Sequence, residues 1–146
     1  MSRLLWFLSA VVLLAGGSGC SSSSNTPSSP SSQPRGEFAQ LDLRVGTGTA
    51  ASTGRSVTVS YTGWLYDPAR PDSKGTQFDT NPSFSFVLGN GGVIRGWDLG
   101  VVGMRVGGQR RLIIPPELGY GASGAAQGRI PPNASLVFDI ELLNVQ

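Results

Sequence analysis

The sequence predicts an α+β domain in which five or six antiparallel strands wrap over one short helix. Three observations carry that expectation. Apolar and polar residues alternate in several short runs, the pattern of half-buried strands. Only one stretch, Val93–Val102, changes to a helical spacing. Finally, 21 Gly and 10 Pro among 146 residues cut the chain into short elements joined by loops.

The first segment reads as an address. Arg3 precedes an apolar run from Leu4 to Leu14, interrupted only by Ser9. A spanning helix needs about twenty apolar residues, so this run has the length of a signal-peptide core. Ala15, Gly16, Gly17, Ser18 and Gly19 then lead into Cys20, the chain's single cysteine. A small-residue stretch ending in cysteine is similar to the lipobox of bacterial lipoproteins, with Gly17 standing where Leu is usual. The resemblance implies cleavage before Cys20 and its lipidation; the plainer alternative is an ordinary secretory signal that leaves a free thiol. Ser21–Gly36 is dominated by Ser and Pro. It lacks apolar residues to offset the entropy of ordering, as a solvated tether would. The expected organisation is a signal peptide over 1–19, a lipidated cysteine and tether over 20–36, and a folded domain over 37–146. The destination is a bacterial membrane surface. Ser21, in place of the Asp that favours inner-membrane retention, leans toward the outer membrane of a Gram-negative cell.

The strands follow in order. Leu41, Leu43 and Val45 alternate with Asp42 and Arg44. Val57, Val59 and Tyr61 alternate with Ser and Thr in the clearest strand pattern of the chain. Asp67–Gly75 holds two prolines and reads as a turn or long hairpin loop. Thr76–Asp79 is a short strand ended by Asn81-Pro82, and Phe84, Phe86 and Leu88 form another. Within Val93–Val102, the residues Ile94, Trp97, Leu99 and Val101 form one apolar side, with Arg95 and Asp98 turned away. Gly96 and Gly100 weaken so short a helix, so they point to close packing of its backbone on a sheet. Gln109–Ile114 is a strand stopped by Pro115-Pro116. Glu117–Pro132 is a long loop, and Leu136, Phe138, Ile140 and Leu142 mark the last strand.

Composition narrows the chemistry. The net charge is +2, with the basic residues scattered along the chain, which gives no footprint for nucleic acid. The chain has no histidine, which excludes a Ser-His-Asp or Cys-His hydrolase and a His-ligated metal within it. One cysteine excludes an internal disulfide and a thiolate zinc cluster. Gly89-Asn90-Gly91-Gly92 precedes the helix but no Gly-Lys-Ser/Thr follows, and Asp67, Asp72 and Asp79 lack EF-hand spacing. No metal and no cofactor are expected.

The aromatic residues are the unusual feature. Tyr61, Phe78, Phe84, Phe86, Trp97, Tyr120 and Phe138 are spread over many elements, several beside turns. Any one alone reads as core. Together they suggest a concave apolar cleft lined by rings, suited to a compact apolar ring such as proline.

The letters around these rings are specific. Tyr61-Thr62-Gly63, Phe78-Asp79, Val93-Ile94-Arg95-Gly96-Trp97, Gly119-Tyr120-Gly121 and Ile130-Pro131-Pro132-Asn133-Ala134-Ser135-Leu136-Val137-Phe138 occur in that order. Together they resemble the FKBP-type peptidyl-prolyl cis-trans isomerases, the family that binds immunosuppressant macrolides, from about Leu41 to Val145. The resemblance implies a half-barrel sheet around the Val93–Val102 helix, with the cleft between them. It makes Trp97 the floor, Tyr61, Phe78, Phe86 and Phe138 the walls, and Val93, Ile94, Tyr120 and Ile130 the rim. Phe84 matches a further lining position. Asp79 is the one carboxylate it carries to the cleft, and the Tyr120 hydroxyl and Ile94 N–H are the donors to substrate. Asp79, Tyr120 and Phe138 are thus the candidate catalytic residues. The chain departs from the family in having Thr80-Asn81-Pro82-Ser83 directly before Phe84, Ala125 and Ala126 where many members have a ring, and a longer Asp67–Lys74 segment.

The chemistry fits that list. An X–Pro bond rotates over a barrier of about 20 kcal/mol. Its twisted transition state has lost amide resonance and is less polar, so an apolar site favours it without a nucleophile or a tuned acid. The implied function is isomerisation of X–Pro bonds in exported proteins. The alternative is a lipid-tethered module that binds proline-containing chains without turnover. A monomer is expected, with proline-containing polypeptides, a macrolide inhibitor and the membrane as partners.

Overall fold

A computed structural model describes residues 34–146. The expected signal peptide, Cys20 and the tether as far as residue 33 lie outside the described residues. Among those described, no helix is long and apolar enough to cross a membrane, and no three His, Cys, Asp or Glu side chains group to hold a metal.

Five strands form one sheet: β1 (Ala39–Arg44), β2 (Ser56–Tyr66), β3 (Lys74–Val87), β4 (Gln109–Ile114) and β5 (Leu136–Val145). Their order is β1-β4-β5-β2-β3, and all neighbours are antiparallel. The one α-helix among the described residues, α1 (Arg95–Gly100), packs on the inner face. Period-two alternation sets that face. Val57 and Val59 of β2, Leu112 and Ile114 of β4, and Leu136, Ile140 and Leu142 of β5 are fully buried in one core, with Leu88 and Val101.

The helix glycines do what their positions suggest. A Cβ on Gly96 would lie 2.6 Å from Ile114 Cγ2, and one on Gly100 would lie 2.4 Å from Leu112 Cδ1. Only bare backbone lets α1 approach β4 this closely. Arg110 secures the far end of the helix. Its Nη1 donates to the carbonyls of Gly100 at 2.8 Å and Val102 at 3.2 Å, while its Nε meets Asp42 Oδ1 on β1 at 2.6 Å. A cation here also complements the helix dipole.

Several elements differ from the sequence expectation. Asn81-Pro82 does not end a strand: β3 runs through it, which settles the expected five or six strands at five among the described residues. The register slips between Val59↔Phe84 and Tyr61↔Asn81, so Pro82 sits in a bulge where no ladder N–H is required. The helix is shorter than Val93–Val102, and Leu99 is 46% exposed rather than part of the buried side. Between Pro116 and Gly128, where the sequence predicts a long loop, the chain makes three short 3₁₀ turns. Arg35 and Gly36, read from sequence as tether, contact the fold: Arg35 pairs with Glu117 at 2.7 Å, and the Gly36 N–H donates to the Ser135 hydroxyl at 3.1 Å.

The outer face carries a charge cluster. Asp139 of β5 accepts from Arg111 Nε at 2.7 Å and Nη2 at 3.0 Å, and from Lys74 Nζ at 2.6 Å. Arg111 Nη1 also reaches Asp72 at 2.8 Å. Lys74 lies 4.2 Å over the Trp64 ring, a cation–π contact. Burial alone would raise the Asp139 carboxyl, but the hydrogen bonds from Arg111 and Lys74 prevail and hold it below the usual aspartate value. Through Asp72 and Lys74 this cluster fastens the Asp67–Gly75 segment onto the sheet.

Candidate active site

A cavity of about 160 Å³ opens between the inner face of the sheet and α1. Strand β2 contributes Tyr61, β3 contributes Phe78, Asp79 and Phe84, and β5 contributes Phe138. The segment entering α1 contributes Gly92, Val93 and Ile94, the helix gives Trp97, and the long loop gives Tyr120.

Trp97 is 4% exposed and lies among perpendicular rings. Tyr61 meets it at 4.8 Å and 80°, Phe138 at 5.3 Å and 87°, and Phe84 at 6.1 Å and 76°. Phe78 meets Phe138 at 5.5 Å and 87°. Such edge-to-face pairs set each ring's electropositive edge against a neighbour's electronegative face. Trp97 Nε1 is the one buried side-chain nitrogen or oxygen among the described residues without a hydrogen-bond partner.

A bulge explains why two consecutive residues, Phe78 and Asp79, share this cavity. In a regular strand they would face opposite sides of the sheet. Here Gly63 pairs with Asp79 and Trp64 with Gln77, so Phe78 is the inserted residue. The extra residue re-aims the side chains, as bulges beside active sites do. Gly63 makes room for the result: a Cβ there would lie 2.7 Å from both Phe138 Cε1 and Phe78 Cζ.

The polar groups are few and aligned. Tyr61 Oη donates to Asp79 Oδ2 at 2.6 Å, and Asp79 Oδ1 accepts the Thr80 N–H at 2.9 Å. Burial first, then the Asp79 carboxylate, pushes the Tyr61 phenol well above the usual tyrosine value. The same two causes raise Tyr120. Both phenols therefore stay protonated donors at any physiological pH. Tyr120 is 39% exposed, at the mouth. Among the described residues the Ile94 N–H finds no acceptor, while the Ile94 carbonyl caps α1 by accepting the Trp97 N–H at 2.9 Å.

Nine of the eleven residues proposed from sequence for the cleft line this cavity: Tyr61, Phe78, Asp79, Phe84, Val93, Ile94, Trp97, Tyr120 and Phe138. Phe86 and Ile130 do not. Phe86 is 8% exposed and lies behind the wall, stacked on Phe84 at 5.8 Å and against Trp97 at 5.7 Å. Ile130 is 3% exposed and is a core anchor beneath the long loop rather than a rim residue. Cys20 lies outside the described residues.

Two supporting groups were not among those proposed. Gly92 lines the cavity directly. Asp98, read as turned away, accepts the backbone N–H groups of Gly89 at 2.8 Å and Gly91 at 3.2 Å. It thereby fixes the loop that delivers Val93 and Ile94. An acidic side chain one helical turn beyond a glycine-rich loop rich in free N–H groups was the available signal.

The arrangement matches known proteins. Residues 47–143 match the family model for FKBP-type peptidyl-prolyl cis-trans isomerase. The chain is 49% identical over 104 residues to an FK506-binding protein of Neisseria meningitidis serogroup B, covering 71% of this chain and 92% of that protein. It is 48% identical over 110 residues to the peptidyl-prolyl cis-trans isomerase FKBP53 of Arabidopsis thaliana, covering 73% of this chain and 22% of that one. Among solved structures, FkpA from Escherichia coli superposes with a TM-score of 0.63 at 39% identity, covering 75% of this chain and 48% of FkpA. AtFKBP13 gives 0.62 at 37% identity, covering 75% of this chain and 93% of that structure. A five-stranded sheet closed on a short helix, an aromatic cleft between them and this degree of identity place the chain in one family: it is an FKBP-type peptidyl-prolyl cis-trans isomerase.

Proposed function

We propose that this isomerase is exported, held at a bacterial membrane through a lipid on Cys20, and acts on X–Pro bonds of proteins that fold outside the cytoplasm. The observation that supports turnover is the cleft itself: a ring-lined cavity with one tyrosine–carboxylate pair and no other charge. A proline ring entering it leaves water, at about 0.8 kcal/mol per methylene. Trp97 forms the floor and Phe78, Phe138 and Tyr61 enclose the ring. Rotation about the C–N bond removes amide resonance and moves charge off the carbonyl oxygen. The apolar walls favour that less polar state over the planar one, which is differential binding of the transition state. The Ile94 N–H and the Tyr120 hydroxyl hold flanking carbonyls so that the chain enters as a turn. Asp79 orients Tyr61 and completes the polar edge of an otherwise apolar wall. No covalent bond breaks, so no proton has to be exchanged.

The family's macrolide ligands compete for the same cavity in this reading, since a relative named for FK506 binding covers nearly the whole folded domain. Relaxation of a Leu-Pro peptide, with and without such a macrolide, tests both points. The reading predicts acceleration by the chain and its loss on titration of the macrolide. No acceleration by a folded chain contradicts it.

Export and anchoring rest on the sequence: the apolar run Leu4–Leu14, the small residues before Cys20, and the Ser/Pro-rich stretch beyond it. One lipidated cysteine would hold the domain on a bilayer surface and not through it. Ser21 favours the outer membrane of a Gram-negative cell. Labelling the full chain with a radioactive fatty acid in a bacterial host decides it. Incorporation that is abolished by Cys20→Ser is expected; an unlabelled wild type overturns the anchor.

A further inference from the structure

We infer that Arg129 is a positioning residue for the isomerase reaction, latching the long loop to the bulge that presents Phe78 and Asp79. The bulge leaves Phe78 outside the β2–β3 pairing, between Gly63↔Asp79 and Trp64↔Gln77. Its carbonyl therefore has no ladder partner. Arg129 Nη1 supplies one, at 3.2 Å, from the long loop. The same guanidinium reaches the Ala126 carbonyl through Nε at 3.4 Å. One side chain thus ties a turn of the loop to the backbone of the cavity wall, one residue from the carboxylate that holds Tyr61.

The loop is built to deliver that side chain. Ala126 and Gln127 have φ of 54° and 56°, a left-handed conformation that is costly for residues other than glycine. It persists because its ends are fixed: Ala125 and Ile130 exchange backbone hydrogen bonds at 3.0 and 3.1 Å, and Ile130 is buried in the core. The chain therefore turns sharply just before Arg129 while the next residue is clamped. The side chain leaves this turn toward β3. A planar guanidinium has donors enough to span two carbonyls in a fixed geometry.

The inference rests on the isomerase activity, so its test needs a readout independent of turnover. In the full chain, Arg129→Ala should lower kcat by about fivefold while KM shifts less than twofold, because the planar ground state tolerates a loosened wall better than the transition state does. Amide hydrogen exchange at Phe78–Thr80 should speed up, with the urea midpoint unchanged because Arg129 is exposed. Arg129→Lys, which keeps a cationic donor nitrogen within reach of the loop, should recover at least half of the loss. Unchanged exchange at Phe78–Thr80 would overturn the latch whatever the activity. So would a loss of kcat matched by an equal loss of global stability, or a failure of Arg129→Lys to differ from Arg129→Ala. If the wild type itself gave no turnover, the activity would fall, and exchange alone would still decide the latch.

Discussion

Phe138 and Asp139 are neighbours in β5 and do opposite work. Phe138 faces inward, 3% exposed, wedged between Trp97 and Phe78. Asp139 faces outward between Arg111 and Lys74. On the inner face the rings are held by shape and leave a cavity open to solvent. On the outer face the charges are fully paired and leave nothing for a ligand to take. One strand thus separates the two tasks: the charge cluster fixes the Asp67–Gly75 segment and the ends of the strands, and the ring cluster is free to enclose a substrate.

The largest expected effects set the two faces side by side. Phe138→Ala should destabilise the domain by about 3–5 kcal/mol, since it removes a buried ring and leaves a cavity. Asp139→Asn should cost about 2–4 kcal/mol, because the largely buried side chains of Arg111 and Lys74 lose their shared charged partner. Urea unfolding checks both. Equal stability of Asp139→Asn and wild type would show the outer cluster to be ornamental.

Gly63→Ala sharpens the contrast. Its Cβ would press on both Phe78 and Phe138 without touching the charge cluster. A loss of about tenfold or more in kcat/KM is expected, with a modest change in stability; unaltered kcat/KM would mean that the walls yield freely. Tyr61→Phe should do less, about threefold, because the ring contact to Trp97 stays and only the hydrogen bond to Asp79 goes.

The pH dependence separates the faces again. The Asp139 carboxyl titrates below its unfolded value. Its contribution is therefore present above the unfolded aspartate pKa of about 4 and is lost as pH falls through the lower folded value. Acid unfolding should be shallower in Asp139→Asn. The activity should be flat from about pH 6 to 9, since the chain has no histidine and both cleft phenols titrate above their usual range. A bell-shaped profile would bring proton transfer back.

How much of this was legible follows from how local each feature is. Strands β2 and β5 and the helical turn around Trp97 were written in residue spacing, and the ring set followed from ordered motifs. What depends on a neighbouring strand was not. Whether Pro82 ends β3 or sits in a bulge depends on what β2 offers opposite it. A one-residue slip at Phe78 decides which face Asp79 joins. Phe86 and Ile130 carry letters as apolar as those of the wall residues, and only packing places them behind the wall. Leu41 and Leu43 alternate like half-buried residues, yet they are exposed on β1 at the sheet edge. Arg129 meets a backbone carbonyl, for which side-chain spacing gives no sign.

The most direct test of the account measures catalysis on the two sides of β5. Cis-to-trans relaxation of a Leu-Pro peptide would be followed with wild type, Phe138→Ala and Asp139→Asn, each rate scaled to the folded fraction under the assay conditions. The account predicts that Asp139→Asn keeps wild-type activity per folded molecule and that Phe138→Ala loses about tenfold or more. Equal losses in both variants, or none in either, would contradict the claim that the inner aromatic face alone carries the reaction.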